Sequence, residues 1–348
     1  MTVSIDRSGG LNPSLDQALV HGPADPLTYE TFNVWLVDGP RRIGFNLHLY
    51  YVRDGIARER ATLFFPDGRR FITHSEGRYE NGAEPGGRSL RYRCVKPYEN
   101  WEYRWNAEAI TLTQEQEAQG SVTTGPTAEV VVEVKAQTLT EPWLIPLSTG
   151  PQSLVGPPRT ADGIFLGKYE QIIRGEGTIS AAGESYAFSG VGLRGHVRGP
   201  RDTTGMGSHA WVTGQFPGGR GFGLKQLFTL DGTPYFSEAY LAEDGRILRA
   251  EIINSPKFSR DSNEHGFSVE LQAGNRTARI EGMNFHTTWI PLGDWGGPAP
   301  SVQRKAAGTG AFAAGHGLVQ EAAKIMSQSC SRFIWDGEEG FGMCELSG

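Results

Sequence analysis

Asp-Gly occurs seven times in this chain, at Asp38, Asp54, Asp67, Asp162, Asp231, Asp244 and Asp336, and Asn81-Gly82 adds an eighth candidate. Both dipeptides tolerate the positive φ angles of a tight hairpin, and most of these sit between apolar or alternating runs. In Ile43–Tyr51 the side chains of Ile43, Phe45, Leu47, Leu49 and Tyr51 point one way and those of Asn46, His48 and Tyr50 the other. Val130–Val134 and Arg246–Ile253 read similarly. Strand, turn and strand at this spacing describe an all-β sandwich or barrel of antiparallel strands, not alternating strands and helices. The 47 glycines, close to twice the usual share of roughly 7%, follow no period, which fits many tight turns.

With 348 residues the chain is long for one core and comfortable for two. Its net charge of −6 and the interleaving of basic with acidic residues give no field to recruit nucleic acid. Three cysteines, Cys94, Cys330 and Cys344, form neither a disulfide framework nor a zinc knuckle and fit a reducing compartment. Residues 1–22 lack the apolar core of a secretory signal, and no run is long enough for a transmembrane helix. A cytoplasmic location is expected.

The expected division is an N-terminal β domain over 1–150, a Pro-rich linker over 151–168 and a C-terminal β domain over 169–348. Pro142, Pro146, Pro151, Pro157 and Pro158 exclude a helix or a central strand over Trp143–Arg159. Leu318–Cys330 has good helix formers but poor helical periodicity, so helix and irregular strand both stay open. Phe65-Pro66-Asp67-Gly68-Arg69-Arg70-Phe71 is echoed by Phe216-Pro217-Gly218-Gly219-Arg220-Gly221-Phe222, which supports two related halves.

Gly190–Gly195 spells G-x-G-x-x-G, yet breakers and Pro200 follow it, so no helix can present its N-terminus to a pyrophosphate. The glycines are better read as permitting close strand approach. From Arg194 to Trp211 the chain concentrates His196, Arg198, Arg201, Asp202 and His209. A histidine beside an acid can act as general acid or base. A structural ion-pair cluster would look the same. Asn46 and His48 share a face that would be either solvent or a ligand-lined interior. Trp101, Tyr103 and Trp105 alternate as one packed aromatic face, which could also floor an apolar pocket. Nucleophile-elbow, HExxH, Walker and EF-hand signatures are missing.

Tyr169-Glu170-Gln171, Gly175-Glu176-Gly177, Gly190–Asp202, His209-Ala210-Trp211 and Phe216–Phe222 resemble the second domain of a lipocalin-like superfamily. It includes carotenoid 1,2-hydratase, kievitone hydratase, AttH-like proteins and fungal pericyclase-type enzymes. Trp335-Asp336-Gly337 and Gly340–Glu345 resemble its closing strand pair, and Tyr29–Trp35 its first-domain start. The resemblance implies two tandem lipocalin-like domains packed together, with a hydrophobic ligand pocket in or between them. It also implies no organic cofactor or metal, and proton donation by a carboxylic acid. Relatives read approximately G-x-R-D-H-S-W-G-x-R-D; here Gly195 replaces that acid and Arg198 the tryptophan, while His196, Gly199, Arg201 and Asp202 match.

The expectation is therefore a cofactor-independent enzyme acting on a hydrophobic isoprenoid, steroid-like or polyketide molecule by hydration, dehydration, isomerisation or cyclisation. The alternative is a non-catalytic carrier of a lipophilic ligand, for which the missing acid at Gly195 is the best argument. His196 or Asp202 would move the proton, with Arg201 orienting the acid and Glu30 as a further donor. His209 would bond a substrate oxygen, Trp211 and Trp35 would pack on it, and His48 would join the binding face. The partner expected is this small molecule, with a homodimer left open.

Overall fold

The computed structural model describes residues 5–18, 28–52, 56–78, 84–119, 125–145, 167–200, 206–259, 266–291 and 324–348. The first sheet is built from β1 (Thr28–Asp38), β2 (Ile43–Val52), β3 (Ile56–Phe64), β4 (Arg69–Arg78), β5 (Leu90–Lys96), β6 (Asn100–Thr113), β7 (Thr127–Thr138), β8 (Trp143–Ile145), β9 (Gly167–Ala181) and β10 (Glu184–Pro200). β9 pairs with both β7 and β10, and β10 with β1, so eight of these strands close a ring in the order β1-β2-β3-β4-β6-β7-β9-β10. β5 pairs with β6, and β8 lies at an edge beside β9. One short helix, α1 (Gln114–Gln119), follows β6, and a 3-10 turn spans Pro13–Asp16.

A second, closed barrel runs in chain order through β11 (Met206–Gln215), β12 (Gly221–Thr229), β13 (Pro234–Glu243), β14 (Arg246–Asn254), β15 (Gly266–Ala273), β16 (Arg276–Pro291), β17 (Ile325–Trp335) and β18 (Glu338–Ser347). The fold is antiparallel all-β, and among the described residues no helix is long and apolar enough to cross a membrane. Sheet membership changes between Pro200 and Met206, not at residues 151–168, because β9 and β10 hydrogen-bond into the first ring. Most of the Pro-rich stretch lies outside the described residues. Its first part, Trp143–Ile145, is the edge strand β8. Of Leu318–Cys330, the described part is strand: Ile325 opens β17.

The turn chemistry carries through. Asp244-Gly245 and Asp336-Gly337 adopt paired positive φ angles of 49° and 82°, and 51° and 79°, the conformation of a two-residue hairpin matched to strand twist. Asp38-Gly39 differs. Its turn is wider, and Asp38 instead accepts from Arg41 N–H and Ser189 N–H. The two Phe-Pro repeats form the same turn. Phe65 N–H donates to Arg69 O and Phe216 N–H to Arg220 O, with Gly68 and Gly219 at φ 85° and 86°. Each arginine then reaches the acid that opens a hairpin strand: Arg69 pairs with Glu184 and Arg220 with Glu338.

Alternation sorts each strand into two faces. On β1 and β2, Phe32, Val34, Leu36, Phe45, Leu47, Leu49 and Tyr51 fill the first ring with Trp101, Tyr103 and Trp105. The outward-facing Trp35, Val37, Phe64 and Leu193 instead meet Trp211, Cys330 and Met343 of the second barrel. A side chain at Gly192 would place its Cβ 1.9 Å from the Trp35 carbonyl oxygen, whereas one at Gly195 would come no nearer than 3.7 Å to Glu170 Cγ. Gly192→Ala is therefore expected to destabilise the protein by roughly 3 kcal/mol or more, and Gly195→Ala by less than about 1 kcal/mol. Urea unfolding of the two variants side by side checks this contrast.

Candidate functional site between the barrels

The outward faces of β1, β2, β3, β9 and β10 form one wall of a buried seam, and those of β11, β12, β17 and β18 form the other. Trp211 Nε1 crosses it to donate to Glu170 Oε2 at 3.0 Å. Lys168 ion-pairs with Glu170, and its ammonium lies 4.0 Å from the Trp211 ring centroid. Farther along, Arg60 Nη2 donates to Gln328 Oε1 at 3.2 Å, and Gln328 Nε2 to Glu345 Oε2 at 2.5 Å. Glu345 Oε1 meets His209 Nε2 at 2.9 Å, and His209 Nδ1 meets Ser347 Oγ at 2.5 Å. With its proton on Nε2, the imidazole leaves Nδ1 to accept from the Ser347 hydroxyl, which itself accepts from His209 N–H at 3.2 Å. Burial would raise the Glu345 pKa, but the bonds from His209 and Gln328 and the Lys225 charge outweigh it and hold it at about 2.

His48 faces this seam, neither solvent nor the ring interior. Its Nδ1 lies 2.9 Å from Tyr50 OH and 3.5 Å from Arg60 Nη2. Second-barrel strands cover the outer face of β2, which strand alternation alone leaves unassigned. Trp35, Trp211, His209 and His48 thus share one seam, as strands distant in sequence pack face to face.

His196 and Glu30 point the other way, into the first ring. His196 Nε2 meets Glu30 Oε1 at 2.9 Å, Arg198 Nε donates to the same oxygen at 2.6 Å, and Tyr169 OH sits 3.0 Å from His196 Nδ1. The imidazole stacks on Phe32 with centroids 4.1 Å apart. Asp16 extends the network through Tyr169, Trp101 and Arg194. All these groups are buried and hydrogen-bonded, the arrangement of a structural cluster. The stretch expected to act as one unit is thus split between β10, whose Arg194, His196 and Arg198 face into the first ring, and β11 of the second barrel, and Arg201 and Asp202 lie outside the described residues.

Glu170 and Glu345 were not among the expected site residues. Glu170 is the direct cross-strand partner of Gly195, so it carries a carboxylate beside the position where the resemblance led to the expectation of one. Its side-chain alternation with Tyr169 and Gln171 was legible, but the register that sets it against Gly195 was not. Glu345 meets His209 only because β18 closes onto β11. Among the described residues no group of three or more metal-ligating side chains is disposed to hold a metal ion. A 440 Å³ surface groove lined by Phe267, Met283, Arg332 and Ile334 lies on the second barrel and contains none of these groups.

A family model described as a domain of unknown function (DUF7064) matches residues 16–348. No curated protein matches the chain in sequence. Solved structures of similar fold include a protein described as AttH from Nitrosomonas europaea, 13% identical, with a TM-score of 0.54 and 92% of each chain covered. CghA with Sch210972 is 11% identical with a TM-score of 0.50, covering 92% of this chain and 88% of that one. Kievitone hydratase from Nectria haematococca is 8% identical with a TM-score of 0.50, covering 97% and 92%. At these identities the likeness is one of fold.

Burial pushes the His196 pKa down to about 4, against the opposing pull of Glu30, and burial likewise holds His286 at about 4. The unfolded imidazoles take up protons near their ordinary value of 6.5 while the native ones stay neutral, so stability falls as pH drops from there toward 4. His196 alone contributes a loss of about 3 kcal/mol across that window. Urea melts from pH 7 to 4 should show this slope, and His196→Gln should make it shallower, with His286 and, at the acid end, Glu345 among the groups that remain.

Proposed function

This chain belongs to the DUF7064 family, and we propose that it is a cofactor-independent enzyme performing acid–base chemistry on a hydrophobic small molecule at the seam between its barrels. The observation that carries this reading is the buried Ser347–His209–Glu345 array, set in the same seam as the Trp211–Glu170–Lys168 group. Apolar residues of similar size would often hold two barrels together as well or better, because buried ions lose hydration that their pairing only partly returns. Ionisable groups gathered beside the apolar contact of Trp35, Leu193, Met343 and Cys330 therefore mark a functional candidate.

In this reading Glu345 holds the His209 tautomer, and His209 takes or delivers the proton. Glu170 is the second carboxylate, standing beside Gly195 in the role the resemblance gives to an acid. Trp211 and Trp35 supply the apolar wall for an isoprenoid, steroid-like or polyketide skeleton. His196 acts through position only, fixing Glu30 and Arg198 inside the first ring. That similar folds serve a kievitone hydratase and hold Sch210972 in CghA supports addition, elimination or cyclisation on such a skeleton.

The test begins with organic extraction of the purified protein and mass spectrometry of what co-purifies. The extracted compound and its unsaturated analogues are then returned to wild type, His209→Asn and Glu345→Gln. Wild type should convert one of them, by gain or loss of water or by isomerisation, and each variant should lower turnover roughly 10²–10⁴-fold when assayed at a temperature where its melt shows it fully folded. A compound that wild type returns unchanged would establish carriage in place of catalysis.

A further inference from the structure

Gln328 joins the His209–Glu345 pair to the opposite barrel. It is the direct cross-strand partner of Glu345, and Trp211 flanks Glu345 on the other side. Its amide is used at both ends: Oε1 accepts from Arg60 Nη2 at 3.2 Å, and Nε2 donates to Glu345 Oε2 at 2.5 Å. The reverse orientation would set N–H groups against the guanidinium and an oxygen against the carboxylate, so only one orientation satisfies both neighbours. A guanidinium only donates, and it keeps its charge in proteins. Arg60 therefore fixes which end of the Gln328 amide Glu345 meets.

Arg60 is 2% exposed. Among the described residues no carboxylate ion-pairs with it, and its Nε has no hydrogen-bond partner. Its Nη2 also lies 3.5 Å from His48 Nδ1, which Tyr50 OH meets at 2.9 Å. A buried cation without an adjoining acid is costly, and the bonded path from this one leads through the Gln328 amide to Glu345. The other charged or titratable groups around Glu345 are His209 on β11, Lys225 on β12, His48 on β2, and Lys168 with Glu170 beside Trp211. A proton on Glu345 Oε2 would face the Gln328 N–H with nothing there to accept it.

We propose that Arg60 and Gln328 are positioning residues for the acid–base pair: from the opposite barrel, Arg60 locks the Gln328 amide so that Glu345 meets only a donor there and stays an acceptor for His209 Nε2–H. Released from Arg60, the amide can turn its oxygen toward Glu345. The carboxyl group then gains an acceptor for a proton of its own, and its hold on the His209 tautomer weakens. The state of a pair carried wholly by the second barrel thus depends on a residue of the first. The catalytic meaning of this coupling rests on the acid–base reading of the seam, whereas the coupling itself does not.

Carbon-13 NMR of the Glu345 carboxyl group in the full chain, assigned by its loss in Glu345→Gln, tests the proposal. Each protein is titrated from pH 7 to the lowest pH at which it stays folded. Wild type should keep Glu345 ionised down to pH 4. Gln328→Met and Arg60→Met should each raise its proton affinity at least about tenfold, or about one pH unit, and Arg60→Lys, which keeps a cationic donor, should return most of that change. Where acid unfolding intervenes, exchange of the His209 Nε2 proton with water at pH 7 makes the same comparison, at least about tenfold faster in either methionine substitution than in Arg60→Lys. Should Arg60→Met not fold, Arg60→Gln, which keeps a neutral donor, takes its place. Titration and exchange that match wild type in the Arg60 variant, or a wild-type Glu345 that protonates above pH 4, overturn the proposal. With a compound that wild type converts, Arg60→Met should lower kcat about tenfold and leave KM within about twofold, and a change in KM alone overturns positioning. The carboxyl titration needs no substrate, so it decides this proposal even where wild type converts no compound.

Discussion

Where β10 crosses β1, the Gly192 Cα passes so near the Trp35 carbonyl that no side chain fits between them. That contact lets β10 pair with β1 while β9 pairs with β7, and so closes the first ring of strands. Closure has two consequences. It turns Arg194, His196 and Arg198 into an interior already filled by aromatic rings, where each needs a partner. It also turns Leu193 and the bare Gly195 position outward, onto a face that the second barrel covers. The interior network and the seam are the two sides of one strand.

The interior side solves its electrostatics with matched groups. Asp16 and Glu30 face Arg194 and Arg198, with Tyr169 and the neutral His196 between them. Removing any one member would leave a buried partner uncompensated, the costly case for ions out of water. The seam is mixed. One part is a dry contact of Trp35, Phe64, Leu193, Cys330 and Met343. The other is a chain of polar groups from Tyr50 and His48 through Arg60, Gln328 and Glu345 to His209 and Ser347. Burial alone does not favour such a polar chain, and acid–base chemistry is the role proposed for it.

Much of the strand pattern was legible locally. Ile43–Tyr51 alternates as β2 does, the Phe-Pro repeat forms twin turns, and Asp244-Gly245 and Asp336-Gly337 are hairpins, because each depends on φ preferences and side-chain direction within a few residues. Leu318–Cys330 was ambiguous because β17 is buried on both faces over most of its length and so lacks the alternation that marks a half-exposed strand. The site was only half legible. His209, Trp211, Trp35 and His48 stood out by residue type, while Glu170, Glu345 and Asp16 did not, since a lone acid in a strand or turn usually lies in solvent.

The sequence by itself determined that this chain is antiparallel β with hairpin turns, and which residues share a face of each strand. Those properties reside in dihedral preferences and in a period of two, and need no distant partner. Only the tertiary structure decided which face became interior and which became seam. It also set His196 with Glu30 and Asp16 on one side, and His209 with Glu345 and Trp211 with Glu170 on the other. Pairings between residues 41, 136 and 166 positions apart follow from ring closure and barrel packing, and no local preference encodes either.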